Sequence, residues 1–385
     1  MDVSPLAVVA VPGSRRLHLF TQAARAAGLP DPVVLPWAEL AAGRVRVPPG
    51  ALVRVDSPGE DAETARLLRG LSRAPDLHRV EGSAAFHTGL CSALERLAAA
   101  VGAAPGARLL QDPADLVVMC DKRRCHARLS AAGVPVPPAL DRRVTSYADL
   151  RAQLAERGWA RVFVKPVHGS SASGVVALTV HRDRVHAVTS ADLVHASTGV
   201  ALYNSLRIRT YTDEAEVAAL IDTLCADGVH VERWLPKAGL HGRTIDLRVL
   251  VVAGRATHVV VRSSTSPMTN LHLGNARGDL AALRARMGEA AWHTAMQTAE
   301  AAAACFPRTL HAGVDLLLAP GWHRSVVCEV NAFGDLLPGV LHEGRDTYAE
   351  QLHAVRTGRF TPLPPRTVRE QSSGSAGKET VVAAD

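Results

Sequence analysis

The sequence has no run of apolar residues approaching the roughly 18 to 20 that a membrane-spanning helix needs. Its opening, MDVSPLAVVAVPGSRR, carries no basic stretch ahead of the first apolar run. A soluble, cytoplasmic chain with no membrane partner is the expectation. Cysteine is sparse: of six residues only Cys120 and Cys125 lie close together, and no second pair completes a metal-binding set. Reduced, buried thiols are expected. Aromatic residues make up 4% of the chain and long basic runs are missing, so the net charge of +6 does not read as a nucleic-acid surface. Small anionic ligands suit it better. A dinucleotide fingerprint is missing too, because Gly13 stands alone after the first apolar strand where three spaced glycines are needed.

The scarcest feature is the most informative. Four of the 43 basic residues are lysines, namely Lys122, Lys165, Lys237 and Lys378. Arginine is the default cation of this composition, so a retained lysine points to a need for an ammonium. A compact point charge suits a phosphate oxygen, whereas the guanidinium is larger and planar. Lys378 falls in a polar, aperiodic tail, PPRTVREQSSGSAGKETVVAAD (364–385), expected to be disordered. Three lysines remain to be explained.

What is present is ample for a folded protein. With 385 residues and 47% hydrophobic content, the chain can bury two or three cores. LAVVAV (6–11), a helical LHLFTQAARAAG and PVVLPW make a β-α-β opening, so residues 1 to about 115 read as an open α/β domain. CDKRRCHARLSAAGVPVPPAL (120–140) reads as a helix ended by Gly133 and the prolines, opening a second domain. RVFVKPVHGSSASGVVALTV (161–180) reads as two strands around a loop of small residues, Gly169, Ser170, Ser171, Ala172, Ser173 and Gly174. Such a loop lets backbone N–H groups approach a phosphate, with Lys165 adding charge, although a plain surface hairpin fits the same pattern.

Farther on, IDLRVLVVAGRATHVVVRSS (245–264) is two strands about an Ala-Gly turn, with Asp246 and Arg248 sharing one face by the period of two. An alanine-rich helix of about 30 residues is expected next, then strands AGVDLLLAP (312–320) and SVVCEVN (325–331). The second of these carries a glutamate in an apolar strand, and an ionised, unpartnered carboxylate there would cost several kcal/mol. Asp315, Glu329 and Asn331 fall where three oxygen donors can converge, either on Mg²⁺ or in a structural hydrogen-bond network.

These segments, in the order DKRRCHARLSAAGVPVP, VFVKPVHGSSASGV, VERWLP, DLRVLVVAG, TNLHLGN, GVDLLL and CEVNAFGDLLPG, resemble the ATP-grasp superfamily, in the branch similar to the ribosomal-protein-S6 glutamate ligase. The likeness covers about 115–340. It implies an α/β chain, α+β in the ATP-binding part: a pre-ATP-grasp domain (1–115), a subdomain with the glycine-rich loop (116–235), a C-terminal subdomain with the metal site (236–363) and the tail. By that resemblance Lys122 and Lys165 would contact ATP phosphates, Gly169 to Gly174 would cover the triphosphate, and Glu232 and Arg233 would lie at the adenine. Asp315, Glu329 and Asn331 would bind two Mg²⁺ ions, with Mn²⁺ able to replace them. Arg248 and Arg262 would hold phosphate or an acyl-phosphate, and Asn270 would lie beside the substrate carboxylate.

The implied activity is an ADP-forming carboxylate–amine ligase acting on an amino acid, peptide or small metabolite. The alternatives are an ATP-grasp kinase that phosphorylates a hydroxyl and a non-catalytic ATP-binding regulator. Two departures stand out. Where the family often reads N-L-H-R-G-G, this chain has Asn270-Leu271-His272-Leu273-Gly274-Asn275, and the segments 181–215 and 236–244 are longer than the branch usually carries. The long segments are expected either to flank the site and hold the acceptor or to be decorative hairpins. His168 and His272 stand beside motifs, where they read as ordinary loop residues more readily than as proton acceptors.

Overall fold

The computed structural model describes residues 4–59, 61–182, 184–196 and 199–365. The expected disorder of the tail concerns residues that, from 366 onward, lie outside this set. Three sheets organise the chain. The first is parallel throughout, in the order Val33–Pro36, Leu6–Ala10, Leu52–Val55, Arg108–Leu109. All five residues of Leu6–Ala10 are buried, as a parallel strand covered on both faces requires. The helix Arg15–Ala26 comes directly after it, its first turn capped by the Ser14 hydroxyl accepting from the Leu17 N–H.

The second sheet is antiparallel and has five strands, in the order Gly199–Tyr211, Arg184–Ala196, Val176–His181, Arg161–Pro166, Val229–Arg233. Helices Tyr147–Arg157 and Glu214–Asp227 bury Leu150, Leu154, Leu220 and Ile221 against Val162, Val164 and Leu178. The long segment 181–215 supplies the two strands at one edge of this sheet, a hairpin that extends it.

In the third sheet the order is Ala276–Arg277, Arg255–Ser264, Arg243–Val252, His311–Leu318, Ser325–Asn331, with Gly239–Leu240 added beside Arg243–Val252. The second long segment, 236–244, is therefore a small hairpin on this sheet. The single helix of about 30 residues is not what forms: there are two, Leu280–Met287 and Glu289–Ala304, broken at Gly288, whose φ of 77° lies outside helical space.

Two of the hydrophobic cores flank the cleft that carries the site. One is shared by the first and third sheets and runs from Val9, Val53 and Leu94 to Val249, Val314 and Val330. The second sheet and its two helices have their own, around Val162, Leu178 and Val217. Among the described residues the six cysteines are unpaired, Cys125 and Cys225 buried and the other four half-buried. No described helix is long and apolar enough to cross a membrane.

Candidate active site

An open cleft of about 800 Å³ lies between the second and third sheets. Lys165, near the end of its strand, is held in register opposite His230, one strand over, and its ammonium donates to Glu232 at 2.5 Å. His230 Nε2 lies 3.0 Å from the other oxygen of that carboxylate. Burial alone would raise the Glu232 carboxyl, yet Lys165 and His230 bring it down to about 2. Burial would likewise depress the Lys165 ammonium, and the Glu232 charge more than reverses this. A permanent cation is thus fixed in the cleft wall.

The second scarce lysine comes from another element. Asp121 caps the helix Lys122–Ala131 by accepting from the Arg124 N–H, which places Lys122 at the first helical position facing the cleft. Its ammonium donates to the Gly169 carbonyl and lies 2.9 Å from Glu329. That contact answers the puzzle of a glutamate in an apolar strand: Glu329 has a cationic partner and sits at the cleft edge.

Across the third sheet the acidic positions form a row. Asp315 and Glu329 are paired residues on adjacent strands, with a register shift just beyond them. Asp315 accepts from both nitrogens of the Arg248 fork and, at 3.1 Å, from Arg262 Nη1. Arg262 Nε donates to Asp246 at 2.7 Å, and Asp246 also takes Lys237 at 3.1 Å and the Thr269 hydroxyl. Burial opposes ionisation of both aspartates, but these guanidinium and ammonium neighbours hold both below the usual carboxylate range. Counting Lys122, Lys165, Lys237, Arg248 and Arg262 against Glu232, Asp246, Asp315 and Glu329 leaves five cations for four carboxylates. Such a surplus favours an anionic ligand.

The structure brings Lys122, Lys165, Gly169, Glu232, Arg233, Arg262, Asn270, Asp315 and Glu329 to the lining of one cleft. Arg248 reaches it only through Asp315. Asn331, at the end of its strand, donates from its amide to the Gly313 carbonyl at 3.3 Å. In the loop, Ser170 and Ser171 are exposed, and Ser171 and Ala172 both adopt positive φ, 54° and 60°. Gly174 is buried, and a Cβ there would come within 2.7 Å of Val80 Cγ1. Its φ of 67° and its close packing against Val80, Pro166 and Leu224 both call for glycine, while Gly169, Ala172 and Ser173 are the loop residues that line the cleft and Ser170, Ser171 and Gly174 lie outside that lining.

Sequence reasoning missed Lys237, Thr269 and the cluster around Asp335. Lys237 was signalled by rarity alone. Asp335 lies in the FGDLLPG segment and has a fully buried carboxylate contacted by Arg16 at 2.5 Å, by Arg54 and by His311 at 3.3 Å. Arg54 sits in the apolar strand LVRV, a charge-in-strand signal of the same kind as Glu329.

One prediction arises at Glu232. A carboxyl held near 2 against an ordinary 4.5 contributes stability in full above pH 4.5 and loses it as the pH falls toward 2. Denaturation midpoints of the wild-type chain should therefore fall over that window, and those of Glu232→Gln should fall less steeply. Equal slopes would show that Glu232 is not held ionised.

No protein-family model matches the sequence, and no curated protein matches it. Solved structures do. D-cycloserine synthetase DcsG is 18% identical, with 90% of this chain and 98% of that one covered and a TM-score of 0.53. The ATP-grasp ligase PsnB, complexed with precursor peptide PsnA2 and AMPPNP, is 18% identical over 93% and 99% of the two chains, with a TM-score of 0.50. D-alanine–D-alanine ligase from Bacillus anthracis is 13% identical over 97% and 100%, again with a TM-score of 0.50. Identities this low speak for architecture alone, and the architecture is that of the ATP-grasp fold, built on an α/β chain.

Proposed function

We propose that this protein is an ATP-dependent ligase that activates a carboxylate and joins it to an amine. The observation that carries the reading is the cleft itself: two ammonium groups, Lys122 and Lys165, stand on its wall with the cross-strand carboxylates Asp315 and Glu329. The fold similarity to ligases supports it, and the motif order resembles the S6 glutamate ligase branch.

Lys165 and Lys122 would neutralise the triphosphate, and the small-residue loop 169–174 would cover it. Glu232 and Arg233, with Phe163, Met268 and Leu317 in the same cleft lining, would receive the adenine. The donor set also fits a hard divalent cation, because Asp315 and Glu329 are oxygen donors directly opposite each other that already bind cations of the chain itself. Asp315, Glu329 and Asn331 would hold Mg²⁺, or Mn²⁺ in its place; when bound it would offset phosphate charge and polarise the transferring phosphoryl group.

In the first step a carboxylate oxygen of the substrate attacks the γ-phosphorus of ATP while the bond to the β,γ-bridging oxygen breaks, giving an acyl-phosphate and ADP. Arg262, with Arg248 behind it, would hold the phosphoryl oxygens, and Asn270 would orient the carboxylate. In the second step an amine attacks the acyl carbon, phosphate leaves and the amine loses a proton. The protein's contribution is positional and electrostatic, with the loop excluding water that would hydrolyse the intermediate.

The substrate class is an amino acid, a peptide or a small metabolite. The test is ADP release measured with and without candidate amines, with the product weighed by mass spectrometry. A ligase gives an amine-dependent condensed product. ADP release with a phosphorylated hydroxyl and no amine requirement would make the protein a kinase, and no ADP release with any acceptor would make it a regulator.

A further inference from the structure

Outside the lining of the cleft, three metal-binding side chains from three elements meet. His87 comes from the helix Ser83–Ala103, Asp121 caps the helix that carries Lys122, and His168 immediately precedes Gly169. One ligand atom from each lies within 4.8 Å of the others. Nothing in the proposed ligase chemistry uses them.

Their hydrogen bonds prepare them as ligands. His168 Nδ1 lies 3.3 Å from the Cys120 carbonyl and His87 Nε2 lies 3.4 Å from the Val117 carbonyl. A carbonyl only accepts, so each of those nitrogens carries the proton and the opposite ring nitrogen presents a lone pair. This is the arrangement by which metal-binding histidines are oriented, with the second nitrogen tied to a backbone oxygen. Burial favours the neutral form of both rings. The thiol of Cys91 stands 3.7 Å from His87 Nδ1 and can donate only its single proton there, leaving that nitrogen an acceptor. Asp121 spends one oxygen, Oδ1, on the helix cap and keeps the other.

We propose that His87, Asp121 and His168 form a binding site for a borderline transition-metal ion of the zinc class. Two imidazoles and one carboxylate select Zn²⁺ over Mg²⁺ or Ca²⁺, which prefer all-oxygen sets. With bonds of about 2.0–2.1 Å, tetrahedral zinc holds its ligand atoms about 3.3 Å apart, so uptake draws the donors together from their present spacing of up to 4.8 Å. The two rings now stack with centroids 3.8 Å apart and planes 16° from parallel. Uptake of the ion turns them out of that stack so that both lone pairs meet.

Location gives the site a consequence. His87 and the Asp121 helix belong to the part of the chain cored with the first and third sheets, whereas His168 leads out of the second sheet. The ion would staple the base of the glycine-rich loop to the helix that presents Lys122.

The test uses the full chain, stripped of metal by a chelator and titrated with zinc in excess Mg²⁺, which keeps the carboxylates of the cleft occupied. One zinc per chain is expected by calorimetry and by elemental analysis of the dialysed protein. His87→Gln and His168→Gln should each weaken it by at least about 100-fold, and Asp121→Asn should do the same while retaining the helix cap. Glu329→Gln, which disables the proposed ligase site, should bind zinc unchanged, so failure of one reading leaves the other standing. Thermal melts of the metal-free variants establish that each is folded, and the half-buried His168 gives the reading should His87→Gln unfold. No zinc retained in excess Mg²⁺, or undiminished zinc in the folded His168→Gln variant, overturns the proposal.

Discussion

Replacing Lys165 by alanine is expected to lower ATP-dependent product formation by about 10²–10³-fold, the scale seen when one fixed charge facing a developing anion is removed. The argument rests on how the ammonium is held. It is bound to Glu232 at 2.5 Å, opposite a neighbouring strand, with a side chain only 13% exposed. Little reorganisation is then needed when phosphate arrives. Arginine should not rescue, because a planar fork cannot occupy the position of a point charge already fitted to one carboxylate. Folding is a separate question: Glu232 keeps His230 at 3.0 Å, so the variant should melt cooperatively. Steady-state rates and ATP affinity of Lys165→Ala and Lys165→Arg, with circular-dichroism melts alongside, provide the check. A folded Lys165→Ala enzyme with wild-type ADP production would remove Lys165 from the phosphate site.

Asp335→Ala should produce the largest loss of stability, about 3–5 kcal/mol, the cost of stranding a buried charge. Arg54 is 1% exposed and its guanidinium lies against Asp335 and, at 3.2 Å, Asp56. Arg16 and His311 approach the same carboxylate, which also accepts from Gln351 at 3.1 Å. These neighbours outweigh the burial that would neutralise Asp335 and hold it well below the usual carboxylate range. Removing it leaves the buried Arg54 with half its counter-charge. Urea denaturation of Asp335→Ala and Asp335→Asn measures the effect, with asparagine expected to lose less because it preserves acceptor capacity. A change below about 1 kcal/mol in both, the scale of an ordinary exposed pair, would mean that the cluster is hydrated and contributes little.

Much of the strand framework was legible because its signals are local. The alternation in IDLRVLVV places Asp246 and Arg248 together, and SVVCEVN is observed as the strand Ser325–Asn331. The scarcity of lysine points to Lys122 and Lys165 without any geometry, and both stand at the cleft. What escaped is what depends on partners distant in sequence. Asp335 and Arg54 meet across 281 positions, and no period or spacing announces such a contact. An isolated glycine costs a helix only about 1 kcal/mol, so Gly288 does not by itself announce a break; its actual φ divides the alanine-rich segment in two. Gly174 fits the pattern of a phosphate loop, and its positive φ and close contact with Val80, Pro166 and Leu224 are what call for glycine.

The separateness of the two large cores has a mechanical meaning. The first and third sheets share apolar packing, and the Asp335 cluster bonds them further. The second sheet is cored on its own helices, with Val80 of the N-terminal part added to that core. The cleft runs along the seam between them, spanned at its wall by polar contacts such as Lys122 to the Gly169 carbonyl. Apolar contact across that seam is limited to small clusters such as Met268 and Leu273 against Ala177 and Val188, so far fewer buried side chains join the two sides of the cavity than fill either interior.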